Sequence, residues 1–179
     1  MRCFIAIKLP NEIKDYLFGL QKEIRSEYAK INFVHKKNLH LTLKFLGEIN
    51  NKKIEAIKER LRKINFKHLE VSLEDIGFFP DEKHIRVVWV SLKPMNRVIE
   101  LQQKIDSEML DLFNKDERFS AHLTLGRVKL IKNKEKFLER LRSLNIENKT
   151  FLINNFYLIK SDLKREGPEY IDLEVFELR

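Results

Sequence analysis

Cysteine occurs once in this chain of 179 residues, at Cys3. A disulfide framework is therefore excluded, as is any Cys-rich zinc or iron–sulfur site. Threonine is almost as scarce, with three copies. Long apolar runs are missing too. Stretches such as Val87 to Val90 fall far short of the roughly 20 residues that span a bilayer. No Pro/Gly/Ser-rich linker divides the chain, and no block of like charge marks a disordered tail. The opening residues, Met1 to Lys8, are too few and too soon charged for a signal peptide. These absences predict a soluble, cytoplasmic protein with no membrane partner, built as a single domain over residues 1–179.

Hydrophobic residues make up 43% of the chain, enough for a sizeable core at this length. Lys and Arg number 35 against 27 Asp and Glu, for a formal net charge of +8. A basic balance suits an anionic partner, most simply nucleic acid. It equally suits a heat-adapted surface, because Lys, Glu and Ile are abundant while Gln, Thr and Cys are rare. Charge alone does not separate the two.

Strand and helical periods alternate along the chain. Arg2 to Leu9, Ile31 to His35, Leu39 to Phe45, Leu69 to Ile76, Ile85 to Leu92, His122 to Leu130, Phe151 to Ile159 and Tyr170 to Phe176 have strand character. Helical spacing runs from Asn11 through Ile24, Asn51 to Ile64, Met95 to Leu112 and Lys134 to Leu144. Gly77 to Asp81 is expected to be a loop. The order β-α-β-β-α-β-β-α-β-α-β-β places the chain in the α+β class.

The scarce threonine is distributed unevenly. His40-Leu41-Thr42-Leu43 recurs as His122-Leu123-Thr124-Leu125, so two of three threonines sit two residues after a histidine. Side chains alternate in a strand, so each copy puts an imidazole and a hydroxyl on one face and two leucines on the other. If the polar faces converge, one neutral histidine can take a proton and one protonated histidine can give one. The threonine hydroxyls can donate to phosphoryl oxygens, and an arginine can add a planar fork. Arg127 is the candidate, although strict alternation puts it on the wrong face. A bulge at Gly126 would re-aim it. Lys44 has the favourable parity and is a weaker candidate for a phosphate contact. His35, His68 and His84 have no threonine partner and are expected to be ordinary. Two histidines with two threonines make a poor zinc ligand set.

At these residues the chain resembles the 2′-5′ RNA ligase family, also called RNA 2′,3′-cyclic phosphodiesterases, within the two-histidine phosphoesterases. The resemblance takes in Arg2 to Ile7, His40 to Gly47, Gly77 to Pro80, Arg86 to Trp89, Phe119 to Arg127, Ser161 to Leu163 and Gly167 to Tyr170. Ala121 stands where many members have proline, a change that removes no chemical group. The resemblance implies a bilobal α+β fold of two pseudo-symmetric halves, with antiparallel-rich sheets lining a cleft and helices outside. It implies hydrolysis of a terminal 2′,3′-cyclic phosphate on RNA to a 2′-phosphate, and by reversibility a 2′-5′ joining reaction. Carried over by motif, His40 is the proton donor to the leaving 3′ oxygen and His122 the acceptor that activates water. Thr42, Thr124 and Arg127 bind the phosphate. No metal and no other cofactor is implied. The implied partners are RNAs with 2′,3′-cyclic phosphate or 2′-phosphate ends, tRNA halves among them, met by a monomer. Two alternatives stand beside it: the same chemistry on a small cyclic nucleotide, and a non-catalytic RNA-binding protein whose Phe4, Phe79 or Phe119 stack on bases.

Overall fold

A computed structural model describes all 179 residues. The strands are β1 (Arg2–Lys8), β2 (Ala29–Phe33), β3 (His40–Glu48), β4 (Leu69–Phe79), β5 (Val87–Lys93), β6 (His122–Ile131), β7 (Thr150–Ile153), β8 (Asn155–Lys164) and β9 (Gly167–Glu177). The helices are α1 (Asn11–Ile24), α2 (Asn51–Leu61), α3 (Met95–Ser107) and α4 (Lys134–Ser143). A short 3-10 turn, Lys36–Asn38, precedes β3.

All nine strands join one sheet in the order β7-β4-β5-β6-β3-β1-β8-β9, with β2 beside β6, and every pairing is antiparallel. The expected plural sheets are thus two halves of one curled sheet. β7, β4, β5 and β6 form one half; β3, β1, β8 and β9 form the other. Between the halves the ladder has a single residue pair, Leu41 with Leu123.

The helices cover the outer face and close the core by amphipathic packing. In α1, Ile13, Leu17, Leu20 and Ile24 recur at helical spacing and all are buried. Asn50 caps α2 by accepting from the Lys53 amide at 2.9 Å, and Asn133 does the same for α4 from Lys136 at 3.1 Å. Each fully buried aliphatic side chain contributes about 1.5–3 kcal/mol relative to exposure, and one cluster holds Ile5, Leu17, Leu41, Leu101, Leu123 and Phe137 together.

Several boundaries depart from the sequence expectation, and three have a clear physical reason or consequence. Gly77 to Phe79 is strand rather than loop, because Gly77 lets the Trp89 ring lie on the β4 backbone. A Cβ at Gly77 would stand 2.3 Å from that ring. Phe151 to Ile159 is broken at Asn154, since β7 pairs with β4 in one half and β8 with β1 in the other. The third helix ends at Ser107, after which Met109 remains buried in a turn. No helix is long and apolar enough to cross a membrane.

Candidate active site

Both copies of the repeat open a strand, His40 in β3 and His122 in β6. Leu41, Leu43, Leu123 and Leu125 are buried, while both histidines and both threonines are half-buried on the opposite face. Leu41 pairs with Leu123 antiparallel, so His40 lies across from Thr124 and His122 across from Thr42. The two imidazoles therefore sit diagonally in a compact array, each with a hydroxyl along its strand and another across it.

The two rings are held alike. Nδ1 of His40 is 2.6 Å from the Asn38 carbonyl, and Nδ1 of His122 is 2.7 Å from the Ser120 carbonyl. A carbonyl only accepts, so each Nδ1 carries the hydrogen and each Nε2 is left to exchange a proton. The Thr42 hydroxyl is 2.9 Å from Nε2 of His40 and donates to it when the ring is neutral. Each ring also has two aromatic neighbours. His40 lies 5.0 Å from Phe4 and 5.4 Å edge-on from Tyr170; His122 lies 4.9 Å edge-on from Phe79 and 6.0 Å from Trp89.

Burial pushes both histidines below their ordinary pKa. For His40, the Asn38 carbonyl opposes the shift, while the charges of Lys14 and His122 reinforce it. For His122, the Ser120 carbonyl opposes it and Arg127 reinforces it. A group whose folded pKa is depressed stabilises the fold above its unfolded pKa and loses that contribution as pH falls. Thermal unfolding should thus drop in temperature as pH is lowered from about 7 to about 5, a window set by the ordinary histidine pKa of about 6.5. The His40→Gln/His122→Gln double variant should flatten that slope. An unchanged slope would refute the burial argument.

Arg127 reaches the site because the strand breaks its alternation. β5 pairs Trp89 with Thr124 and Val88 with Gly126, so Leu125 is bulged out of the ladder. Its carbonyl accepts from the Val34 amide and from Nε2 of the buried Gln21, each at 2.9 Å. Beyond the bulge Gly126 turns inward against β2, where a Cβ would stand 2.6 Å from Ile31. Arg127 turns outward on the histidine face. Its charge favours the neutral form of His122 and eases ionisation of Tyr170, whose pKa burial raises. Arg127 thus acts electrostatically on a residue of each side, His122 and Tyr170.

The first copy carries the same bulge. β1 pairs Ala6 with Thr42 and Ile5 with Lys44, which skips Leu43. Lys44 therefore turns inward, and its expected phosphate contact is corrected. Its ammonium is buried, paired with Asp106 of α3 and donating to the Asn114 carbonyl at 3.0 Å. Phe45 takes the place matching Arg127 and is exposed. Phe4 is buried beneath His40 and Tyr170 and offers no open face to a base. Phe119 packs on the main core, and only Phe79 of the three named aromatics faces a site residue directly from a half-buried position. Trp89 and Tyr170 were not expected as neighbours of the histidines. The signal for Trp89 is its register opposite Thr124. His35, His68 and His84 lie outside the array. No group of three or more His, Cys, Asp or Glu is placed to hold a metal ion.

Known proteins resemble this chain in sequence and fold. A family pattern described as LigT like Phosphoesterase matches residues 7–89. The RNA 2′,3′-cyclic phosphodiesterase of Archaeoglobus fulgidus is 36% identical, over 99% of this chain and 100% of that one. Its namesake from Methanothermobacter thermautotrophicus is 34% identical over 99% of both. Among solved structures, TT0787 of Thermus thermophilus superposes with a TM-score of 0.82 at 25% identity, over 100% and 98% of the two chains. E. coli LigT complexed with phosphate gives 0.76 at 27%, over 99% and 96%. With relatives matched end to end above 30% identity, this chain belongs to the LigT-like phosphoesterase family.

Proposed function

We propose that this protein is an RNA 2′,3′-cyclic phosphodiesterase that hydrolyses the terminal cyclic phosphate to a 2′-phosphate. The observation that carries the reading is the diagonal array of His40, Thr42, His122 and Thr124, with both Nε2 atoms free of backbone partners. The names of the full-length relatives support it. The two halves of the sheet act as two lobes of one domain, with the phosphate lying over their junction.

Water attacks phosphorus in line with the 3′ oxygen. His122 accepts a proton from that water through Nε2, and the P–O3′ bond breaks as His40 delivers a proton to the leaving oxygen. Arg127's charge favours the neutral form of His122, the form a base requires, while the donor role of His40 follows the family order of the two motifs. The Thr42 and Thr124 hydroxyls donate to the non-bridging oxygens. Arg127 adds charge that strengthens as negative charge builds in the transition state. With a 5′-hydroxyl in place of water as the nucleophile, the same transfers give a 2′-5′ linkage. The expected setting is the cytoplasm, and the expected working form a monomer.

The test is a product assay on an RNA ending in a 2′,3′-cyclic phosphate, with a chelator present. A 2′-phosphate product at undiminished rate is expected. A 3′-phosphate product, or activity abolished by chelator, overturns the mechanism. Both histidines are depressed in the free enzyme, so the kcat/KM bell should lie on the acid side of about 6.5. Arg127→Ala should lower kcat by about a hundredfold to a thousandfold, and Arg127→Lys should recover only part of it, because lysine cannot reproduce the fork. Equal recovery by lysine would mean that charge alone matters.

A further inference from the structure

The array around His40 and His122 grips one phosphate. On the His40 half of the sheet lies a cavity of about 220 Å³ whose lining includes His40, Tyr170, Lys8, Lys14, Lys37 and Glu169. Lys8 pairs with His40 across the β1–β3 ladder and so shares its face. Lys14 comes from the start of α1, and Lys37 from the turn that leads into β3.

These cations are poorly compensated. Lys8 pairs with Asp172, but neither Lys14 nor Lys37 has a carboxylate within ion-pair distance. The Lys14 ammonium donates only to the Lys37 carbonyl, at 3.1 Å. Glu169 is the one acidic member of the lining, and it stands 4.0 Å from Lys164. Burial, reinforced by the charge of Lys8 and opposed by that of Asp172, presses Lys14 below its ordinary pKa. Lys8 and Lys14 thus bring two ammonium groups into mutual repulsion on one concave wall, which an anion relieves. Tyr170 borders both this cavity and the His40 ring, so the two positions adjoin.

We propose that the Lys8–Lys14–Lys37 cavity is a second phosphate subsite, which receives the phosphodiester on the 5′ side of the terminal nucleotide while the cyclic phosphate lies between the histidines. The inference rests on the proposed reaction and narrows it: the preferred substrate is an oligonucleotide, not a mononucleotide. In a dinucleotide ending in a cyclic phosphate, the second phosphate is one ribose away from the reacting phosphorus. The subsite makes and breaks no bond; it positions the chain.

Three substrates test this at low salt: a mononucleoside 2′,3′-cyclic phosphate, a dinucleotide with the same end, and that dinucleotide with a neutral methylphosphonate linkage. The wild type should favour the charged dinucleotide over both others by about tenfold or more in kcat/KM, as expected for a charge-assisted contact. Lys14→Gln and Lys37→Gln should collapse the ratio of charged to methylphosphonate substrate towards one. A wild-type ratio of one, or variants that keep the full ratio, overturns the subsite while leaving the reaction intact. Titration with the unreactive dinucleotide 2′-phosphates, charged and methylphosphonate, separates the two readings. If no cyclic phosphate is hydrolysed, the reaction fails. If the charged dinucleotide still binds better and Lys14→Gln abolishes the difference, the subsite holds without it.

Discussion

His40→Ala lowers kcat on a cyclic-phosphate-ended RNA by about a hundredfold to ten-thousandfold, and His122→Ala does the same. Both variants keep their fold, since each side chain is half-buried on the cleft face and the core leucines beside it are untouched. The double variant is little worse than either single one, because the two residues act in one concerted transfer. A 3′-thio substrate then assigns the roles. A thiolate leaves without a proton, so His40→Ala recovers on it while His122→Ala does not. Recovery of His122→Ala instead would exchange donor and acceptor. Near-normal turnover of either single variant on the ordinary substrate would sink the paired mechanism altogether.

Asp106→Ala destabilises the protein by about 3–5 kcal/mol in chemical denaturation. The cause is Lys44, whose ammonium is buried against Asp106 and would be left with only the Asn114 carbonyl. Asp106 also accepts from the Asp116 amide at 2.9 Å, so the pair ties the segment after α3 to β3. Replacing both partners, as in Lys44→Met/Asp106→Leu, should recover most of the loss, because two apolar groups leave no stranded charge. A loss under about 1 kcal/mol for the single variant would show that water reaches Lys44.

The heart of the site was legible because histidine and threonine recur at a spacing that a strand converts into one face. Parity carried that inference as far as Leu43 and Leu125 and no further. At each of them the ladder skips a residue, and everything beyond exchanges faces. Lys44 was therefore placed towards the phosphate when it points into the core, and Arg127 required the bulge that Gly126 permits. The lone signal was the glycine itself; nothing in Leu43 or Lys44 announces the first bulge. The aromatic walls were legible only as residues, since Phe4, Phe79, Trp89 and Tyr170 come from four different strands and meet the histidines through pairing that no local pattern encodes. The same holds for Asn154, where a strand that looks continuous passes from one half of the sheet to the other.

The lone Leu41–Leu123 pair has a mechanical consequence. β1 and β3 are fastened along seven residue pairs, and β5 and β6 along five, so each half is stiff within itself. The softest line across the sheet is the seam over which the proposed reaction takes place. Strain applied to the molecule concentrates there, as bending does at a score in a card, and the spacing of the two imidazoles is the dimension that changes first. Amide exchange at Leu41 and Leu123 should be faster than in the flanking ladders, and a phosphate bridging the seam should slow it, acting as the rivet the backbone does not supply.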